Sequence, residues 1–258
     1  MSTKTKKYIL TDETMEWVGR TLHRIQAISA FSCVAIGDAG GWIESEKNLS
    51  QSGDAWVSGD ARVYGDARVY GDARVYGDAE VSGDARVSGD AWVYGNADVY
   101  GDAKVSGDAR VYGDARVSGD ARVYGDAEVS GDAWVYGNAE VSGDAWVYGD
   151  AKVSGVYDML LIGPIGSRNG FTTAFKCKDG SVSVSCGCWS GSLDDFGKRV
   201  EEVYPSGPHG DAYRAACAMM RAVLVVVRVI DGMDPQISCG LFCGMDEPET
   251  VQPKGGVS

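Results

Sequence analysis

From Gly53 to Ser154 the chain repeats one hexapeptide, Gly-Asp-Ala-x-Val-(Ser/Tyr), seventeen times without insertion or deletion. The small apolar positions of each unit, Ala and Val, lie two residues apart. In an extended strand such positions share a side, so Ala and Val point one way and x and the Ser or Tyr point the other. Gly followed by Asp supplies the freedom for a corner, since both tolerate positive φ. Asn96 and Asn138 replace the Asp in two units. Each unit therefore predicts one short strand and one corner, and three units close a triangular coil with Ala and Val filling its narrow interior. So small a unit cannot bury its apolar side alone and must stack on its neighbours. Seventeen units make between five and six coils, about 27 Å of solenoid at ~4.8 Å per coil. A disordered Gly/Asp-rich tract would not require Val at every sixth position.

The flanks follow other patterns. Residues 6–30 predict a β-hairpin, with Tyr8–Leu10 and Met15–Trp17 running into Val18-Gly19-Arg20 and Leu22–Ile28 returning. Ile43 and Leu49 are six apart and Leu49 is six before Ala55, so the solenoid register is expected to begin near residue 43 with the hairpin over its end. A cap is needed because an open coil exposes unpaired strand edges. Beyond Gly155 the period stops. Val156–Ile162 predicts a strand and Gly163–Gly170 a loop. Phe171–Lys178 and Ser181–Cys188 flank Asp179-Gly180, a hairpin turn signal. Ser192, followed by Asp194 and Asp195, predicts the N-cap of a helix that turns Phe196, Val200 and Tyr204 inward. A second helix, about Asp211–Val229, is apolar enough to be expected buried. The division is a cap over 1–42, a solenoid over 43–155, an α+β domain over 156–233 and an irregular tail over 234–258.

The repeat resembles the left-handed parallel β-helix of hexapeptide-repeat proteins, whose motif places a small residue four positions after an aliphatic one. Val57 to Ala61 and Val63 to Ala67 fit it. The resemblance, not the spacing, implies left-handedness. The expected fold is mainly β: a left-handed parallel β-helix solenoid, an N-terminal hairpin cap and a small C-terminal α+β domain. Both ends resemble a group of poorly characterised bacteriophage proteins. The matching stretches are Gly19–Ile25, Gly37–Glu44 and Ile162–Cys188, most specifically Gly166-Ser167-Arg168-Asn169 with Thr172-Thr173. That resemblance implies a phage or prophage origin, and hence the host bacterial cytoplasm.

Three units per coil put every third unit on one face. The first face carries Trp56, Arg74, Trp92, Arg110, Glu128 and Trp146 at x, with Tyr76, Tyr94 and Tyr112 stacked beside Trp92. Such a series suits cation–π contact and structural stacking. The second carries Arg62, Glu80, Asp98, Arg116, Trp134 and Lys152. The third carries Arg68, Arg86, Lys104 and Arg122, then Glu140, a row of like charges that gains nothing internally. It reads either as an anion-binding ridge or as a solvated face screened by the corner aspartates.

Charge narrows the partners. The net charge is −13, of which the hexapeptide tract holds −10 from 19 acids and 9 bases. That argues against direct nucleic-acid binding and leaves open mimicry of nucleic acid by an acidic rod. Seven cysteines, none in the repeats, form no evident disulfide framework or zinc spacing, which fits a reducing cytosol. The apolar run Ala215–Ile230 is short for a bilayer and contains Arg221 and Arg228, so no membrane association is expected. Outward corner aspartates do not converge as calcium requires. No metal or cofactor is expected.

Many hexapeptide-repeat proteins are acyltransferases that use a general-base His on the solenoid and loops protruding from it. Here His23 and His209 both lie outside the repeats, and without a base an acceptor hydroxyl or amine is not activated. The expectation is therefore a non-catalytic binding or scaffold protein, trimeric like similar solenoids. Its expected partner is a host protein or a small anionic ligand such as a nucleotide, possession of which would serve against host defence. An acyltransferase-like enzyme and an acidic nucleic-acid mimic are the alternatives. The candidate ligand site is Arg168, Asn169, Thr172 and Thr173, joined by His209, where backbone N–H groups of the Gly-rich turn would form an anion nest; the alternative is that Arg168 and Asn169 pin the turn and cap neighbouring backbone. The cationic row of Arg68, Arg86, Lys104 and Arg122 is the second candidate.

Overall fold

The computed structural model describes residues 6–155 and 157–226. The expected irregular tail, the end of the second expected helix, and Cys239 and Cys243 lie outside the described residues. In the hexapeptide tract each x-Val pair is a two-residue strand, from β4 (Trp56–Val57) through β20 (Lys152–Val153). Strands three units apart pair in parallel, giving three sheets that match the three expected faces. Val75 pairs with Val57 and Val93 on the first face, and Val81 with Val63 and Val99 on the second. From Ala55 to Val153 every repeat Ala and Val is at most 1 % exposed, so one continuous column of small side chains is the core.

The corners differ from expectation in one respect. Glycine alone takes positive φ there, between 61° and 74°, while the Asp that follows does not. The coils stack so closely that a Cβ on Gly107 would lie 2.9 Å from the backbone nitrogen of Gly125. The Asp backbone N–H instead donates to the coil above, as from Asp78 to the Gly95 carbonyl at 2.9 Å. Asn96 relieves one stack of carboxylates by donating its amide to Asp114 at 3.0 Å.

At the N-terminus, β1 (Tyr8–Trp17) and β2 (Arg20–Ala27) form the expected hairpin. It pairs with β3 (Ala39–Ile43), which continues the second face by running parallel to the Arg62–Val63 strand. The register begins at Ile43, which pairs with Val63, and Leu49 bridges to Val69. Leu49 therefore occupies a Val position, not the Ala position that its spacing from Ala55 suggested. Two additional residues before Val57 absorb the difference, and this widened corner holds the cap. Gln51 accepts the Lys7 backbone N–H at 2.9 Å, and the Lys7 ammonium donates to the carbonyl of Ala55 at 2.6 Å.

After the last coil, β21 (Met159–Ile165), β22 (Gly170–Lys176), β23 (Val182–Cys186) and β24 (Trp189–Ser192) form an antiparallel sheet in sequential order. β21 starts later than expected and takes in Gly163-Pro164, read as loop from the Gly and Pro. β24 was missed altogether: Gly187, with φ 59°, turns the chain tightly back after Cys186. Helix α1 (Leu193–Val203) starts on the Ser192 cap, whose hydroxyl accepts the Asp195 N–H at 3.1 Å. Helix α2 (Pro208–Met220) leads into a π-helical turn over Arg221–Val226. It was expected to be buried, and one of its sides is. Ala216, Cys217, Met220 and Leu224 are buried, while Met219 and Val225 are half exposed.

The sheet seals the solenoid. Phe175 joins the Ala/Val core, whereas Ala174 on the opposite side of β22 packs with Phe196, Val200 and Met220 of the helices. Asp158 accepts the Ser154 N–H at 2.9 Å and the Lys176 ammonium at 2.7 Å. Burial opposes ionisation of this carboxyl, but the hydrogen bonds from Lys176 and Ser154 outweigh it and hold its pKa below the usual carboxylate range.

Candidate functional site

Between the turn after β21, the end of β23 and the two helices lies a cleft of about 520 Å³. Its walls are aromatic because the sheet and both helices each contribute rings at their junction. Trp189 meets Phe196 at 5.3 Å between centroids, and Tyr213 of α2 sits 5.9 Å from Phe196 and 5.6 Å from Tyr204. Arg168 and Arg199 supply cationic groups. Arg199 pairs with Glu202 at 3.3 Å. Arg168 forms no ion pair among the described residues.

The Tyr213 hydroxyl keeps its proton. Burial, reinforced by the Cys186 thiol 3.8 Å away, raises the Tyr213 pKa to about 12. The Tyr204 hydroxyl lies 3.2 Å from that of Ser167. Cationic groups, hydroxyls and flat apolar walls together suit a planar ring carrying negative charge.

Only part of the predicted cluster lies in the cleft. Arg168 lines it. Asn169 holds the β21–β22 turn at φ 49° and donates its N–H to the Gly166 carbonyl at 3.3 Å, a turn role. Thr172 and Thr173 are buried at 0 % and 3 % exposure. β22 is a central strand covered on both faces, so neighbouring side chains of opposite direction both lose solvent. The Thr172 hydroxyl turns to the Cys186 sulfur at 3.2 Å and the Thr173 hydroxyl to the backbone N–H of Trp146. His209 is exposed in the first turn of α2, edge-on to Tyr204 at 6.1 Å, beside the cleft and not among its lining residues. Trp189, Arg199 and Tyr213 were missed. A sequence does not disclose that two helices and a turn meet, although Phe196 and Tyr204 on one helical face were a partial signal.

The second candidate is assembled as a row. Arg68, Arg86, Lys104 and Arg122 pair in register on the third face and are all exposed. On the first face the expected stack is present, with Tyr94 4.9 Å from both Tyr76 and Tyr112 and nearly coplanar with each. The guanidinium carbons of Arg74 and Arg110 lie 5.9 and 5.7 Å from the Trp92 ring centroid. His23 is half-buried, its Nδ1 3.3 Å from the Thr11 carbonyl oxygen, and lies on no sheet face of the repeats. Among the described residues no three His, Cys, Asp or Glu side chains group as metal ligands, and no helix is long and apolar enough to cross a membrane.

These features define a parallel β-solenoid repeat protein of about six turns carrying a C-terminal domain of two helices on an antiparallel sheet. The family described as the YdcK β-solenoid repeat matches within this tract, at residues 67–79, 79–95, 103–119, 109–125, 115–131 and 121–137. The similarity is to the repeats and leaves the cap and the C-terminal domain unmatched. No curated protein matches the chain.

Proposed function

We propose that the protein is a non-catalytic binding protein in which the solenoid is a rigid spacer and the C-terminal cleft takes a small planar anion, such as a nucleotide. The observation that carries this reading is Arg168 at the margin of a cleft walled by Trp189, Phe196, Tyr204 and Tyr213. An aromatic wall stacks a base, a guanidinium pairs with phosphate in bidentate fashion, and the Tyr213 hydroxyl orients the ring. Neither histidine lines the cleft, so no imidazole base stands where a bound acceptor would need one. The resemblance of both ends to bacteriophage proteins supports a setting in infected bacteria, where sequestering a nucleotide signal or blocking an effector would blunt host defence.

Native mass spectrometry of the protein purified from phage-infected lysate tests the reading. A discrete additional mass of nucleotide size, lost in Arg168→Ala, is expected. A protein of unadorned mass that also fails to bind added nucleotides would overturn it.

A further inference from the structure

Five of the nine cations in the hexapeptide tract find a partner within the chain. Arg62 lies over Trp17 and Lys152 over Tyr136, Arg74 donates to Ser32 and Cys33, and Arg110 and Arg116 pair with Glu128 and Asp98. The remaining four, Arg68, Arg86, Lys104 and Arg122, are the entire cationic row of the third face. Among the described residues they make no ion pair, side-chain hydrogen bond or cation–π contact, and all four are exposed.

The corner joining the third face to the first carries the complementary surplus. Asp72, Asp90, Asp108 and Asp126 follow one another there without an Asn, and among the described residues none is in an ion pair. The other two corners are partly satisfied or interrupted: Asp60 pairs with Arg24, Asp66 with Lys47 and Asp150 with Lys178, and both Asn96 and Asn138 fall on them. Each ladder presents one charge per coil. Since the same backbone pairing sets both, they share one pitch of ~4.8 Å.

We propose that the third face docks a second copy of this chain, laid alongside with its solenoid axis parallel, so that the acidic corner of one copy runs along the cationic row of the other. A rigid ladder of the same pitch keeps four opposite charges in step. A flexible polyanion has no fixed pitch and would lose conformational entropy in matching the row. Tyr70 and Tyr124, also on the third face and about 40 % exposed, add ring surface between the charges. The contact is heterologous, using a face and the corner that bounds it, so repetition closes a ring or extends a filament. None of these residues lines the C-terminal cleft, and the inference stands apart from the ligand reading.

Sedimentation velocity on the full chain tests it. At 50 mM NaCl the protein should associate, and at 500 mM the dissociation constant should rise at least about tenfold, as screening of exposed charges requires. Arg86→Glu with Lys104→Glu should give monomers, and so should Asp90→Lys with Asp108→Lys. Mixing the two variants should restore association, since each then offers the other an opposite ladder. Circular dichroism unchanged from wild type shows that the variants are folded. A wild-type monomer at 50 mM NaCl, or association that persists in both variants, would overturn the proposal. So would folded variants that fail to associate when mixed, or a monomer whose cationic row captures polyglutamate or RNA.

Discussion

The hydroxyl of Thr173 accepts the backbone N–H of Trp146 at 3.2 Å, tying β22 to the final strand of the solenoid's first face. That strand has no further coil to pair with, and its N–H would otherwise be an orphan donor at a buried seam. A residue that reads as a ligand contact is thus part of the closure of the rod. Thr173→Val keeps the shape and removes the acceptor. It is expected to cost about 1–3 kcal/mol at the seam and to accelerate hydrogen exchange at the Trp146 amide, with ligand affinity unchanged. Exchange at wild-type rate would contradict the assignment.

At the opposite end the Trp17 ring lies 4.0 Å from the guanidinium carbon of Arg62 and donates its indole N–H to Glu80 at 3.1 Å. The Nε of Arg62 is buried without a hydrogen-bond partner, so the ring is its principal compensation. Trp17→Ala should loosen the cap by about 1–2 kcal/mol. Exchange should quicken across β1–β3 and leave the middle coils unaffected, as nearest-neighbour stacking predicts.

Lys7 makes the cap sensitive to alkaline pH. Burial lowers its pKa from 10.5 to about 8, only partly offset by Asp54 and Asp72. Between those values the unfolded chain holds a proton that the folded chain has released, so stability rises with pH from about 8 towards 10. Below pH 8 both states are protonated and the penalty of the buried charge is present in full. Thermal melts of wild type and Lys7→Met across pH 7–10 check this. The wild-type melting temperature should gain on that of the variant as pH rises, and parallel curves would refute the assignment.

Gly107 stands for the corners. Its φ of 71° costs an L-residue about 1–2 kcal/mol, and the close backbone of the next coil adds to that. Gly107→Ala should therefore destabilise the rod by at least this amount in urea unfolding at 500 mM NaCl, where contact between copies is screened, whereas Lys104→Ala, exposed on the same coil, should be nearly neutral there.

The solenoid was legible because its period is short and unbroken. Val57, Val63 and Val69 announce three faces by spacing alone, and stacking rows such as Tyr76, Tyr94 and Tyr112 follow by counting. Leu49 was misplaced because two residues inserted before Val57 change the register without changing the local hydrophobic pattern. The C-terminal domain was legible only in pieces. The Ser192 cap and the Asp179-Gly180 turn are local signals, but the burial of Thr172 and Thr173 depends on what covers β22 from both sides. The cleft depends on Tyr213 and Trp189 meeting across elements, which leaves no local trace.

The central claim is that a planar anion binds in the C-terminal cleft, and its most direct test is chemical-shift mapping with the four ribonucleoside monophosphates as probes. At least one should shift amides around Arg168, Cys188, Tyr204 and Tyr213 in a saturable manner and leave the solenoid amides in place. Shifts confined to the third-face row of Arg68, Arg86, Lys104 and Arg122, or no saturable shift with any of the four probes, would contradict the account.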